Sequence, residues 1–380
     1  MEYVKLGDIC TKVCSGGTPT SSNPAYYDGN IPWLNTNEVN FCNIYSTNKT
    51  ISEEGLKKSA AKYVPENTVI VAMYGVTAGK CAIAKIPLTT NQACCNLIID
   101  KEKADYCYVY YYLRQQSDSL NKLAIGGAQQ NLNALTIKKF KIALPTLPIQ
   151  KKIASILSTY DRLIENNTRR IRLLEQMAEN LYKEWFVRFR FPEHEKVEMV
   201  NGLPKGWKIK RYEEELNIRY GKGLSTEQLK EEGYPVFGSN GQIGFYDSYM
   251  YDNPQILISC RGASSGIVNI SLPKSFITSN SLICERTEKT ESLYEYLKYY
   301  FLNNNLVQYQ TGSAQPQITI NNIVKLKLLV PELKVQRSFS EKIRVIDMEI
   351  YNLQSQIQLL TRQRDLLLPR LMSGKLEVKS

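Results

Sequence analysis

The sequence contains a single histidine, His194, among its 380 residues. Ser-His-Asp triads, histidine-rich zinc sites and HExxH motifs are therefore essentially excluded. The Pro-Pro-aromatic signature of amino-methylating enzymes is also missing, because no two prolines are adjacent. No glycine-rich loop of the dinucleotide type stands between a strand and a helix. These absences predict a chain that has no catalytic site, metal or cofactor of its own.

Long apolar runs are missing as well. A membrane-spanning helix needs about 18 or more consecutive apolar residues, whereas this chain has only short runs such as residues 69–74. The opening residues, MEYVKLGDIC, show no secretory core. The nine cysteines are an odd number, which fits reduced thiols better than a disulfide framework. We therefore expect a cytoplasmic protein with no membrane partner.

Positive charge is what the chain has in excess, with 48 Lys and Arg against 37 Asp and Glu and a net charge of +11. The excess is spread along the chain and is not concentrated in a tail. Such a spread suits a long nucleic-acid footprint, although basic proteins with other roles are common. The length of 380 residues indicates at least two domains.

An internal repeat organises the sequence. Residues 128–151 align without gaps on residues 314–337, an offset of 186, with eight identities in 24 positions. Apolar residues then recur with the a/d spacing of a coiled coil after each copy. In the first copy they are Ile153, Leu157, Ile164, Ile171, Leu174, Leu181 and Trp185; in the second copy they are Phe339, Ile343, Ile350, Ile357, Leu360, Leu367 and Leu371.

Each of these two sets of apolar residues, named here a seam, predicts a helix of about 38 residues and about 57 Å in length. Since a lone helix would leave its apolar stripe in water, we expect the two helices to pair, and packing against another protein is the lesser alternative. Domain termini usually lie close together, so the pair should be antiparallel, with a pseudo-two-fold axis. Asn167 and Arg364 interrupt the seams. A register-setting role and simple solvation near a splayed stretch explain these two residues equally well.

The predicted fold class is α+β, with two tandem domains of mixed α/β type joined by the two long helices. The predicted segments are a first domain at 1–147, a central helix at 148–190, a linker at 191–206, a second domain at 207–330, a C-terminal helix at 331–373 and a tail at 374–380.

The two domains share a plan. Residues 69–73 and 256–260 are predicted to be matched buried strands, and each is followed by a matched loop, at 75–79 and at 262–266. Further along, Asn91 is matched with Asn280. Residues 75–80 (GVTAGK) resemble a phosphate-binding loop, but Cys81 replaces the Ser or Thr that would hold magnesium. Because the second copy keeps the glycines and loses the lysine, the pattern belongs to the fold.

The side chains around these loops differ between the copies, as they would if each domain read different DNA bases. They are of the types that bond base edges and phosphates, although for any single residue a turn is the more common role. The candidates are Ser15, Thr18, Tyr74, Thr77, Lys80, Thr90, Asn91, Gln92 and Gln129 in the first copy, and Lys222, Ser239, Asn240, Gln242, Arg261, Ser264, Ser279, Asn280 and Gln315 in the second.

Taken together, these features resemble the specificity (S) subunits of type I restriction-modification systems. The similar blocks are WFVRFRFP from Trp185, NGLPKGW from Asn201 and LLPRLMSGKLEV from Leu367. Residues 16–34 (GGTPTSSNPAYYDGNIPWL) and 235–244 (PVFGSNGQIG) resemble two types of target-recognition domain. The first domain lacks the GLPKGW-like lead of the second, so its opening strand is expected to be shorter.

The resemblance implies a non-catalytic subunit whose two target-recognition domains each read one half of a bipartite DNA site, while the helices fix the gap. It also implies two methyltransferase subunits that use S-adenosylmethionine, and motor-nuclease subunits that use ATP and magnesium. Two other functions compete with it: a coiled-coil structural adaptor without DNA readout, and a self-sufficient DNA-modifying enzyme, which the missing motifs disfavour.

Overall fold

The structure, a computed structural model, describes residues 2–123, 131–312 and 315–378. The chain divides into two compact units, one formed by Met1–Asn167 with Ser355–Ser380 and the other by Thr168–Gln354. Each unit holds strands, short helices and a part of both long helices, which confirms the predicted α+β class. Within the described ranges, no helix has both the length and the apolar run that a bilayer crossing requires.

The first unit begins with a globular domain. Its described strands are β1 (Glu2–Lys5), β2 (Cys10–Ser15), β3 (Tyr27–Leu34), β4 (Cys42–Ile44), β5 (Lys49–Ile51), β6 (Val69–Ala72), β7 (Cys81–Ala84), β8 (Thr89–Thr90), β9 (Cys94–Ile99) and β10 (Lys141–Leu144). Its described helices are α1 (Glu53–Lys57), α2 (Tyr106–Gln115), α3 (Ser117–Asn121), α4 (Ala134–Lys139) and the long α5 (Leu147–Tyr182), which continues into the second unit.

The main sheet of this domain has the order β2-β9-β6-β7-β4. The central strand β6 (VIVA) is buried along its whole length, because its β-branched residues pack on both faces of the sheet. A smaller sheet has the order β5-β3-β8, and β1 pairs with β10. Helix α2 starts at the cap residue Asp105, whose side chain accepts the Tyr108 N–H at 2.9 Å. Its tyrosines and Leu113 then fill the core beneath the sheet.

The second unit repeats this plan. Its described elements after α5 are β11 (Met199–Val200), β12 (Leu203–Pro204), β13 (Lys208–Arg211), α6 (Tyr212–Glu215), β14 (Leu216–Tyr220), β15 (Tyr234–Gly238), β16 (Gly241–Tyr246), β17 (Ile256–Ser259), β18 (Val268–Ile270), β19 (Phe276–Ile277), β20 (Ser281–Arg286), α7 (Tyr294–Asn303), α8 (Ile320–Ile323), β21 (Lys327–Val330) and the long α9 (Leu333–Met372). The sheets have the orders β14-β20-β17-β18 and β16-β15-β19, and β13 pairs with β21. The buried strand β17 is the counterpart of β6.

One expectation about these domains is wrong. The opening strand of the first domain is not shorter, because β1 and β13 each have four residues. Each opening strand pairs along its full length with the strand that precedes a long helix. The lead sequence at residues 201–207 instead supplies the turn and strand β12 of the small hairpin β11-β12, and its Trp207 stacks on Phe191 with ring centroids 5.3 Å apart.

The long helices begin and end at residues with the expected stereochemistry. Pro148 lies in the first turn of α5, where its missing N–H costs no helical hydrogen bond. After Tyr182, α5 continues as a π-helical turn at Lys183–Val187 that buries Trp185 and Phe186. Helix α9 is followed by Gly374, whose φ of 72° suits the residue after a helix end.

In the first unit the helices run antiparallel. Asp161 of α5 bonds Arg364 of α9, and the later Asn167 bonds the earlier Gln356. All predicted seam residues of this unit are buried or half-buried, as the a/d pattern requires.

The second unit shows the same antiparallel arrangement. Arg170 pairs with Glu349 at 2.6 Å, and the Tyr182 ring packs against Phe339 with centroids 6.4 Å apart. Here too every predicted seam residue is buried or half-buried. The two long helices therefore cover each other's apolar stripes in both units.

The two residues that interrupt the seams are buried and hydrogen-bonded. Asn167 is 6% exposed and donates to the Gln356 side chain at 3.0 Å, while Arg364 is 7% exposed and donates to Asp161 at 2.6 Å. Simple solvation is thus contradicted, because both polar groups are removed from water. Each of these two hydrogen bonds forms only when its residues on the two helices face each other, which is typical of a register-setting contact.

A repeated glutamine fastens each long helix to its own domain. The buried Gln150 side chain accepts the N–H of Asp105 at 2.9 Å and donates to the Pro145 carbonyl at 2.8 Å. Gln336 makes the same two bonds to the equivalent backbone atoms, each at 2.7 Å. A tyrosine and an aspartate repeat in the same way: Tyr111 donates to Asp161, and Tyr299 donates to Asp347. These anchors fix where each domain sits on its part of the helices.

Candidate DNA-recognition site

The predicted loops lie at the same end of the main sheet in each unit, named here the loop end. Backbone hydrogen bonds show which loop positions of the two units are equivalent. In the first unit, the N–H of Met73 bonds the Ala93 carbonyl at 2.8 Å and the Met73 carbonyl accepts the Leu132 N–H at 2.9 Å. In the second unit, Cys260 makes the same two bonds, to Asn280 and Ile318, each at 3.0 Å.

These bonds correct one match made from the sequence. Asn280 is equivalent to Ala93 and not to Asn91, because both bond the N–H that follows the buried strand. Asn91 is instead equivalent to Thr278, since their N–H groups bond the carbonyls of Leu34 in β3 and Phe237 in β15, at 3.0 and 2.9 Å. The error arose because the two asparagines were aligned by residue type, although the segments around them differ in sequence.

The glycines of the matched loops adopt conformations that other residues rarely reach. Gly75 and Gly262 have φ of 73° and 77°, and nothing lies within 4 Å of a Cβ added at either position. Backbone conformation, and not space, therefore explains the glycine at this position. Gly79 and Gly266 also have positive φ, and a Cβ there would approach backbone atoms at 2.9 and 2.7 Å. The loop shape is thus a property of the fold.

The structure sorts the first set of candidate residues by exposure. Ser15, Thr18, Tyr74 and Gln92 are exposed, Lys80 and Asn91 are half-buried, and Thr77 and Thr90 are buried. Gln129 lies outside the described residues.

Several of these side chains contact one another or the rest of the domain. Thr18 bonds Gln92, which joins two predicted loops. Lys80 donates to Asn40 at 2.9 Å, and its Nζ lies 5.9 Å from the centre of the Phe41 ring.

The buried threonines face the protein. The Thr77 hydroxyl donates to the Thr36 carbonyl at 2.9 Å. The Thr90 hydroxyl accepts from Asn96, also at 2.9 Å. In this structure both hydroxyls support the loop, and neither is presented to solvent.

The second set is more exposed. Lys222, Asn240, Gln242, Arg261, Asn280 and Gln315 are exposed, and Ser239, Ser264 and Ser279 are half-buried. The contacts that bring these residues together are the Ser264–Asn240 bond, the bond from Ser239 to the Asn280 carbonyl at 3.1 Å, and the backbone bond from Ser279 to Lys222 at 2.9 Å.

Two exposed cations, Lys222 and Arg261, lie at the loop end of the second unit. In the described part of the chain, neither Lys222 nor Arg261 has an ion-pair partner. Burial raises the pKa of the neighbouring Cys260 thiol, and the positive charge of Arg261 opposes that shift. A surface with free cations and neutral hydrogen-bonding groups suits a polyanion that also presents base edges.

Sequence reasoning missed two residues of this site. Asn35 follows β3 and accepts a bond from the Asn91 side chain at 3.3 Å, whereas the equivalent position in the second unit is Gly238. Val76, between the two loop glycines, is 97% exposed. An apolar residue in a turn between glycines was a signal for Val76, but Asn35 carried no pattern of its own.

Comparisons with known proteins agree with this arrangement. A family model described as a type I restriction modification DNA specificity domain matches residues 1–176 and 204–361. A type I restriction enzyme MjaIX specificity subunit of Methanocaldococcus jannaschii is 28% identical over 99% of this chain and 93% of its own length. The EcoprrI specificity subunit of Escherichia coli is 25% identical over 88% of this chain and 85% of its own length.

A solved structure shows the same fold. The crystal structure of a type I restriction-modification S subunit from M. genitalium superposes with a TM-score of 0.64 at 20% identity, covering 97% of this chain and 95% of the other.

Proposed function

Because the chain belongs to the family of type I restriction-modification DNA specificity subunits, we propose that each unit reads one half of a bipartite DNA site with its loop end. The observation that carries this proposal is the repeated fold, which presents different side chains at equivalent loop positions. Tyr74 in one unit and Arg261 in the other follow the same buried strand and precede the same left-handed glycine. One backbone plan with two sets of side chains suits a protein that reads two sequences.

The paired helices would set the distance between the two half-sites. One turn of B-DNA is about 34 to 36 Å, so two readers on a fixed spacer accept half-sites only at a matching separation and helical phase. Contacts such as that of the buried Asn167 with Gln356 would keep the helices from slipping. Insertion of four residues in one helix is expected to change the tolerated gap, and an unchanged gap would contradict the spacer role.

We also propose that methyltransferase subunits dock on the helix flank that faces away from each domain. In the first unit this flank carries Ile156, Leu163, Leu359 and Leu366, which are 36 to 61% exposed. Ala154 and Asp161 face the domain. Ile156 and Leu163 lie two residues further along, which is a rotation of about 200° around the helix, so they point away from the domain.

The second unit offers a similar flank, with Met177 and Val345 exposed by 60 and 70%. Exposed apolar surface of this kind marks an interaction site. One such surface in each unit supports two methyltransferase subunits per chain.

In this proposal the cofactors belong to the partners. S-adenosylmethionine would be bound by the methyltransferase subunits, and ATP with magnesium by the motor-nuclease subunits. In the part of the chain that the structure describes, no three His, Cys, Asp or Glu residues are grouped to hold a metal ion. We place the assembled protein in the cytoplasm, where the described cysteines, all unpaired, would stay reduced.

The test is to express the full chain with its partner subunits and to map modified adenines in the DNA of the host. A bipartite motif with a fixed gap is expected, and it should disappear when the chain is omitted. The purified chain should also bind duplex DNA with an affinity that falls steeply as salt rises. An adaptor without DNA readout would give neither result.

Docking is tested separately with a matched pair of variants. Leu359→Glu places a charge on the proposed flank, and Leu135→Glu places one at an equally exposed site on α4 of the same unit; these leucines are 61% and 60% exposed. Only Leu359→Glu should reduce copurification of the methyltransferase. Equal copurification with both variants would contradict this docking surface.

A further inference from the structure

The loops that follow the two buried strands, residues 74–80 and 261–267, are named here the glycine loops. Resting on the proposed function, we propose that the glycine loops are the base-reading elements of both units. In the second half-site Arg261 reads a guanine, and in the first half-site Val76 contacts the methyl group of a thymine.

The backbone of each glycine loop is held in place from several sides. Gly79 donates to the Ala72 carbonyl at 2.9 Å, and Gly266 donates to Ser259 at 2.8 Å, so each loop closes on the end of its own strand. In the second unit the loop is also bonded to the following segment, since the Gly262 N–H reaches the Pro316 carbonyl at 3.1 Å. A backbone held in this way needs no further ordering when its side chains bind a partner.

Arg261 has the chemistry and the freedom that guanine readout needs. Its backbone pairs with Gln317 in an antiparallel bridge, whereas its side chain is exposed and has no ion-pair partner among the described residues. The neighbouring loop side chains, Asn240 and Ser264, are neutral and bond each other. A planar guanidinium can donate two hydrogen bonds to O6 and N7 of guanine, the most common specific contact in the major groove.

The first unit has different side chains at the same positions. Tyr74 replaces Arg261 and is 40% exposed, so no guanidinium is available there. Val76, equivalent to Ala263, is 97% exposed at the tip of the loop. A single exposed apolar residue is ordinary on a protein surface, but this one projects from the loop whose counterpart carries Arg261. Apolar contact with the thymine methyl is the readout open to a valine in the major groove.

The test maps modified adenines for the full chain coexpressed with its partner subunits, with wild type, Arg261→Ala, Arg261→Lys and Val76→Ala compared. Both Arg261 variants should lose discrimination at one guanine of the second half-site by roughly 10-fold or more, with the first half-site and the gap unchanged. Arg261→Lys keeps the charge but loses the bidentate fork, so a phosphate contact would tolerate it. Val76→Ala should relax one thymine of the first half-site only.

Lys289→Ala is the matched control, because it removes an exposed charge at a turn beyond the other end of β20. It should leave the motif unchanged. The proposal is overturned if the second half-site contains no guanine, if Arg261→Lys keeps the wild-type motif, or if Arg261→Ala weakens modification at all positions alike. A wild-type chain that gives no bipartite motif would refute the proposed function itself.

Discussion

Replacing Arg364 by alanine removes the cation that joins the second helix to the first within the first unit. Arg364 donates to Asp161 at 2.6 Å and to Asp365 at 2.9 Å, with its side chain 9% exposed. Burial opposes the charge of Arg364, but its bonds to the two aspartates outweigh that effect and raise its pKa. Breaking a buried ion pair costs about 3 to 5 kcal/mol when the remaining charge has no other partner.

Here the expected cost is lower, because Asp161 keeps two other contacts. Tyr111 still donates to it at 2.6 Å, and Arg114 lies 3.8 Å away. We therefore expect about 2 kcal/mol for Arg364→Ala, which corresponds to about 30-fold faster exchange of protected amides. The repeat supplies a precedent for this substitution, since the equivalent residue on the first helix is Ala178.

Hydrogen exchange measured by mass spectrometry on the full chain is the appropriate assay, because a protein with two units need not unfold in one step. Amides of residues 147–167 should exchange faster in Arg364→Ala, while those of the second unit serve as an internal control. Asp161→Asn and the double variant complete a double-mutant cycle with an expected coupling of about 1 to 2 kcal/mol. Additive effects of the two substitutions, or unchanged exchange in Arg364→Ala, would refute the reasoning.

Three further predictions follow from particular contacts. Gln336→Leu should destabilise the second unit by about 1 to 3 kcal/mol, because it leaves two buried backbone groups without a hydrogen bond. Gln150→Leu should destabilise the first unit equally, and hydrogen exchange should show the effect of each variant in its own unit. Burial raises the pKa of Glu295, but hydrogen bonding and the charge of Arg344 outweigh burial, and the pKa is lowered. The ionised Glu295 therefore stabilises the fold above the ordinary glutamate pKa, and this contribution is lost as pH falls through the lowered value. The stability difference between wild type and Glu295→Gln, measured by urea unfolding, should shrink over that acidic range, and a constant difference would contradict it. Burial raises the pKa of the Cys81 thiol, so iodoacetamide at pH 8 should label Cys81 in unfolded but not in native chain, as peptide mass mapping would show.

The helices were predictable from the sequence because their signal is periodic and local. A residue such as Leu157 is apolar at its seam position whatever the loops contain, and it is fully buried in the structure. The anchors were not predicted, although Gln150 and Gln336 are identical across the aligned repeat. One bond of each glutamine reaches a backbone atom 45 or 43 residues away, and no spacing rule connects a glutamine with the start of a distant helix.

The loop end was predictable in kind but not residue by residue. Polar residues in and around the predicted loops indicated a surface, and exposed Arg261 and Gln92 agree with that expectation. Thr77 and Thr90 have the same residue type as exposed Thr18, yet these two are buried against their hydrogen-bond partners. Exposure of such a threonine depends on the segment that packs against it, and a single sequence does not specify that segment.

The distribution of similarity within the repeat has a physical cause. The bonds that define the shared fold use backbone atoms at the loops, as at Ala93 and Asn280, where the carbonyl accepts and the side chain is free to differ. The anchors use side chains, and there glutamine, tyrosine and aspartate recur in both copies. A substitution in a loop therefore changes what the domain presents without weakening what holds the domain on its helices. This separation allows two domains of one chain to share a fold and still present different side chains at their loops.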